Sequence, residues 1–260
     1  MTIVPSGDGT PPTDYRGPSG FPGGAAVGRS LDRVLSVQRP VVLAHIRSLR
    51  RSRPAATPAE IIKTLERRYL AAVTTGGALV GATAAIPAVG TVASIALSTA
   101  ETAGFLEASA LFAQSVTEVH GIAVTDPERA RTLVMTMILG SAGSELVEQL
   151  ASEVVGVGPG RSAFWGELVT KSLPKSALGS VARRLRSFFL KKFAANEGAG
   201  IIGRAIPFGV GAVIGGFGNH FLGRRVVVSS RTAFGPAPAQ FPITLDAHPS
   251  QRPRKTALPQ

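Results

Sequence analysis

A chain of 260 residues with 44% hydrophobic side chains can bury the core of one large domain or two small ones. It has no cysteine, which excludes disulfides, thiol catalysis and cysteine metal sites. A formal charge of +12 favours a polyanionic partner, either nucleic acid or an anionic membrane surface. That charge is unevenly placed. Residues 29–68 carry ten basic and three acidic side chains, residues 101–160 two and eight, and residues 161–204 nine and two. An acidic block between basic ones argues against a continuous nucleic-acid groove.

Residues 1–28 are rich in Gly, Pro, Ser and Thr and read as a disordered leader. They lack a basic start followed by an apolar run, so no signal peptide is expected and synthesis in the cytoplasm is the default. A basic helix follows over 30–53, interrupted by Pro40, with Ile46 and Leu49 on one short face. In "TPAEIIKTLERRYL", Thr57 is a helix N-cap, Pro58 fits the first turn and Glu60 completes a capping box.

That helix runs into "YLAAVTTGGALVGATAAIPAVGTVASIALSTA", residues 69–100, without one charged side chain. Pro87 stands near its middle. A proline inside a helix removes a hydrogen bond and clashes with the turn before it, so the helix should kink or end near Ala85. Each half is shorter than the roughly 20 residues a span needs. A hairpin or a kinked span is expected, turning at Pro87 and Gly90. Gly77 and Gly81 form a G-x-x-x-G that permits close helix packing.

From Glu101 to His120 the spacing is helical, with Phe105, Leu106, Ser109, Phe112 and Val116 on one face. Asp126, Pro127 and Glu128 mark another helix start. Its uncharged run to Ser144 is too short to span and should pack internally, and a short acidic helix continues from there. "ALGSVARRLRSFFLKKFAA", residues 177–195, is the sharpest amphipathic segment. Leu178, Val181, Leu185, Phe188, Phe189 and Phe193 lie on one side, and Arg183, Arg184, Arg186, Lys191 and Lys192 mostly lie opposite. That helix suits either an anionic interface or a core face with its charges in water.

A second uncharged segment, residues 205–223, lies between Arg204 and Arg224. It repeats the Ile-Pro of the first, at Pro207, and carries a second G-x-x-x-G, Gly211 to Gly215. Asn219 is its one amide. An unpaired amide in apolar surroundings costs a few kcal/mol, so Asn219 should bond to another helix or to the turn at Pro87. Residues 236–260 carry recurrent prolines and read as a flexible basic tail.

The region from about Thr57 to Ala233 resembles the EcsC protein family. The likeness rests on "RRYLAAVTTGGALVGATAAIPAVGT", "ETAGFLEASALFAQSVTEVHGI" and "IPFGVGAVIGGFGNHFLGRR". Within them it carries over Pro87, Gly90, Pro207, Gly211 and Asn219. It implies an α-helical, hydrophobic, membrane-associated protein, linked by the family's name to a bacterial gene cluster that also encodes an ABC transporter, and it brings no catalytic residues.

No nucleophile elbow, P-loop, dinucleotide fingerprint or H-E-x-x-H is present. The four histidines have no ligand spacing, and no cofactor is expected. Glu145 and Glu148, with Asp126 or Glu128, are the weak candidates for a divalent ion.

The expected fold is all-α, a bundle over 29–235 with two Gly/Ala-rich apolar hairpins or kinked spans that pack through Gly77, Gly81, Gly211 and Gly215. Basic flanks would hold it on the anionic inner leaflet. The expected function is membrane-associated and non-catalytic, as a scaffold or accessory to a transporter or envelope process. The alternatives are a soluble bundle that binds a protein or nucleic acid, and a hydrolase of unrecognised type.

Overall fold

The computed structural model describes residues 38–83, 91–155, 164–203 and 210–246. The fold is all-α, and the described residues contain no strand. In chain order the helices are α1 (Arg39–Ser52), α2 (Pro58–Thr83), α3 (Thr91–Val119), α4 (Pro127–Leu139), α5 (Ser141–Val155), α6 (Trp165–Glu167), α7 (Lys175–Gly203), α8 (Val210–Phe234) and α9 (Ile243–Asp246). A π-helical turn, Leu168–Ser172, follows α6. Pro87, Gly90 and Pro207 lie outside the described residues.

Pro40 opens α1 rather than interrupting it. Its fixed φ and missing N–H suit a first turn, where that donor has no partner in any case. Val42, Ile46 and Leu49, one helical face, are fully buried. The N-terminus of α2 is a capping box. The Thr57 N–H donates to Glu60 Oε2 at 2.8 Å, and the Glu60 N–H donates to Thr57 Oγ1 at 3.3 Å. Asp126 caps α4, accepting from the N–H of Glu128 at 2.8 Å and of Arg129 at 3.4 Å. That helix stops at Gly140, whose φ of 67° few other residues tolerate.

Helix α2 ends at Thr83, two residues short of Ala85, and α3 returns antiparallel to it, so the first apolar segment is a helical hairpin. Tyr69 stacks on Phe112 with ring centroids 4.7 Å apart and shares a 2.8 Å hydrogen bond with Ser109. Burial pushes the Tyr69 phenol well above its ordinary pKa, so it stays neutral.

The most extensive pairing in the molecule is α2 against α8, also antiparallel. Gly223 faces Leu70 and Val73, Gly216 faces Thr74 and Ala78, and Arg231 reaches Glu66. A Cβ on Gly223 would lie 2.9 Å from Val73 Cγ2 and 3.1 Å from Leu70 Cδ2; one on Gly216 would lie 3.2 Å from Ala78 Cβ. Glycine at these two sites lets the backbones approach. Helix α4 packs on α8 and on α3, α7 packs against α4, and α5 packs on both α4 and α7, around a core that includes Leu133, Met137, Leu178, Val181 and Leu185.

Two carboxylates inside the bundle are held by two-pronged arginines. Arg231 Nε and Nη2 donate to Glu66 at 2.8 and 2.7 Å, and Arg39 Nε and Nη2 donate to Glu118 at 2.5 and 3.2 Å. Glu66 and Glu118 side chains are 8% and 5% exposed, so removing either arginine would strand a buried charge. Part of the basic excess is thus used internally.

One expectation needs correction. Residues 236–246 do not behave as a free tail: Leu245 is buried, and Arg50 donates to its carbonyl and lies 4.2 Å over the Phe241 ring. Two apolar side chains and a cation–π contact outweigh the prolines that pointed to a tail. Of the two readings of the 177–195 helix, the one with a core face and its charges in water holds. Ala177, Leu178, Val181, Leu185 and Phe189 are buried, and Phe188 stays 37% exposed. The side chain of Phe193 lies outside the described residues.

The glycine contacts set a graded test. Gly223→Leu should lower unfolding stability by about 1–3 kcal/mol through overpacking. Gly218→Ala, with no atom within 4 Å of the new Cβ, should raise it by about 0.5–1 kcal/mol through helix propensity. Urea denaturation of both variants measures the contrast.

Candidate functional site

The antiparallel pairings bring the two uncharged segments to one end of the bundle. That end is built from residues 69–83 of α2, 91–100 of α3 and 210–223 of α8. Gly223 would place its Cβ 3.6 Å from Tyr69, so Arg224 on α8 and Arg68 on α2 sit at the same height. Arg67, Arg68, Arg224 and Arg225 are all exposed. They form a basic collar around the foot of an uncharged cap. At 1.5 Å per residue, the α2 and α8 arms rise about 20 Å above the collar.

Three large apolar side chains of the cap face solvent: Leu79, Phe217 and Phe221, 64%, 72% and 60% exposed. A single exposed leucine means little. Two phenylalanines one turn apart on α8, above two arginines and flanked by the Arg225 guanidinium 6.0 Å from the Phe221 ring, form an oriented amphipathic feature. No helix among the described residues is long and apolar enough to cross a membrane.

One acidic group, Glu101, borders the cap at the first position of α3 past its uncharged residues. Asn219 Nδ2 donates to Glu101 Oε1 at 3.0 Å and to the Val73 carbonyl at 3.2 Å. The amide thus ties α8 to both helices of the hairpin and satisfies a carboxylate about one turn above the collar. His220 Nδ1 shares a 3.0 Å hydrogen bond with Thr74 Oγ1 alongside it. Asn219 therefore bonds across to other helices; the turn at Pro87 is outside the described residues.

The remaining expected residues fall as follows. Gly77 is buried and Gly81 half-buried in α2, and Gly211 and Gly215 lie in the first turns of α8. The close approaches with described neighbours are made by Gly216 and Gly223, one of them a single position past the G-x-x-x-G. Arg183, Arg184 and Lys191 are exposed on α7, Arg186 is half-buried, and the side chain of Lys192 is outside the described residues. Arg184 pairs with Glu153 at 3.4 Å. Phe217 and Phe221 were not singled out from the sequence. Their signal was there: an i, i+4 aromatic pair followed by Arg-Arg.

Two of the polar groups considered for chemistry hold structural positions. Asp126 is a helix cap, and His120 stacks on Phe234 at 5.2 Å. Burial holds His120 below its ordinary pKa, opposed by nearby Glu167; burial and then Arg68 hold His45 low. Among the described residues no three His, Asp or Glu gather to hold a metal ion, so Glu145, Glu148, Asp126 and Glu128 do not converge. No family model, curated protein or solved structure matches the chain.

Two outcomes follow. Asn219→Leu removes two interhelical hydrogen bonds and should lower stability by about 1–3 kcal/mol, measured by thermal unfolding. Burial lowers the folded-state pKa of His45 and His120 below the ordinary 6.5 of their unfolded forms. Protonation then favours the unfolded chain, so the stability they contribute is present above pH 6.5 and is lost as pH falls below it. Chemical denaturation across pH 7 to 5 should show that decline, and His120→Gln should flatten it.

Proposed function

We propose that this chain is a membrane-associated, non-catalytic helical protein that docks on the anionic cytoplasmic leaflet through its uncharged cap. There it serves as a scaffold or accessory to a transporter or envelope process. The observation that carries the reading is the cap itself: exposed Leu79, Phe217 and Phe221 above a collar of arginines at one height. The hydrocarbon core of a bilayer is about 30 Å thick, so a cap of about 20 Å passes one leaflet's share of about 15 Å and stops short of the far side. That depth accords with a chain in which no described helix is long and apolar enough to span.

The collar fits the same arrangement. Each basic side chain near an anionic surface adds about 1 kcal/mol, and arginine stems can lie along apolar surface with the guanidinium in the headgroups. The Asn219–Glu101 pair meets the requirement that a carboxylate near lipid be hydrogen-bonded. Non-catalytic action is supported by the structural engagement of Asp126, His120, Glu66 and Glu118. The EcsC resemblance of residues 57–233 points the same way and rests on its motifs alone. The accessory role follows from that resemblance.

Flotation with vesicles containing an anionic lipid tests the docking. Phe217→Ala with Phe221→Ala should weaken binding at least about 30-fold, from the apolar area withdrawn from lipid. The fold should lose no more than about 0.5 kcal/mol, because both rings are exposed. Unchanged flotation by the double variant would contradict the reading.

A further inference from the structure

At the foot of the cap, a groove of about 560 Å³ opens between α8, the α4–α5 corner and α6. Its volume lies within the roughly 300–1,000 Å³ usual for small-molecule sites. The α8 side supplies Phe221, Arg224, Arg225 and Val228; the opposite walls supply Glu148 and Trp165. The Arg225 stem passes 4.0 Å from where a Cβ on Gly140 would lie, in ordinary van der Waals range of the corner. The apolar members, Phe221 and Val228, are 60% and 54% exposed along the same helix that bears Phe217.

The charges in this groove are arranged without cancelling. Two guanidiniums and one carboxylate line it, yet no ion pair joins Glu148 to Arg224 or Arg225. A ligand with a single negative charge would meet the arginines but be repelled by Glu148. A ligand that carries both a phosphate and an ammonium group complements all three. The guanidinium fork suits phosphate oxygens, and an ammonium group suits a carboxylate beside an indole. An acyl chain leaving such a headgroup would run along Phe221 towards Phe217, into the cap.

We propose that this groove binds the headgroup of an ethanolamine glycerophospholipid, with phosphate on Arg224 and Arg225 and ammonium on Glu148. This rests on the membrane reading for its source of ligand, because a soluble glycerophosphodiester presents the same chemistry. Trp165 is the chain's one tryptophan and lines the groove, so its fluorescence reports on this site alone.

The test titrates the full chain in plain buffer with glycerophosphoethanolamine, glycerophosphoglycerol and inorganic phosphate, reading Trp165 emission. Glycerophosphoethanolamine should act saturably and at about tenfold lower concentration than the other two. Arg224→Gln with Arg225→Gln should weaken it at least about tenfold. Glu148→Gln should erase the preference for ethanolamine while keeping the phosphate response. All three side chains are exposed, and circular dichroism verifies that the variants fold.

An equal response to all three compounds that Glu148→Gln leaves unchanged overturns the assignment, as does a silent tryptophan. A parallel arm uses phosphatidylcholine vesicles containing phosphatidylethanolamine or phosphatidylglycerol. Vesicle binding with a silent tryptophan removes the headgroup site and leaves the docking reading standing. A saturable headgroup response without vesicle binding removes the docking reading and assigns the groove to a soluble glycerophosphodiester.

Discussion

The close antiparallel pairing of α2 with α8 sets the shape of this molecule. Gly216 and Gly223 remove the side chains that would separate the two backbones, and the helices meet along most of their length. The consequence reaches beyond packing. Two uncharged segments more than a hundred residues apart are laid side by side, and the first arginine beyond each arrives at the same height. A cap with a collar is the geometric result. The Glu66–Arg231 fork locks the register at the far side, and Asn219 locks it within the cap.

Charge is divided between two tasks. Arg39, Arg231 and Arg184 face carboxylates of the bundle, and the first two satisfy groups that would be costly to bury alone. Arg67, Arg68, Arg224 and Arg225 face outward at the foot of the cap. Three of the eight acidic residues in 101–160 meet side chains of other helices: Glu101 meets Asn219, Glu118 meets Arg39 and, at the surface, Glu153 meets Arg184.

Much of the helical framework was legible in the sequence because its signals are local. Thr57 with Glu60, and Asp126 with Pro127, mark helix starts by side-chain reach, and the structure places the caps there. Pro87 signals a break in the uncharged segment by its missing donor, and α2 and α3 lie on either side of it. What the sequence left open or misjudged depended on tertiary partners. The amphipathicity of residues 177–195 is the same whether the apolar face meets lipid or α4, and only packing decides. Residues 236–246 look like a tail until Phe241 and Leu245 find α1. The cap was half legible. The absence of charge identified its segments, and the i, i+4 spacing of Phe217 and Phe221 was there to be read. Which glycines make the contact was not, because G-x-x-x-G marks a face without saying which neighbour fills it.

The depth of the cap in a bilayer tests the account most directly. The chain has no cysteine, so a single one introduced at Phe217, or at Ser48 on α1 as a distant reference, can carry an environment-sensitive fluorophore. Vesicles with nitroxides at the headgroup or along the acyl chain then quench according to depth. The account predicts strong quenching of the position 217 label by acyl-chain nitroxides and none at position 48. Equal, weak quenching at both positions, with emission typical of water, would contradict it.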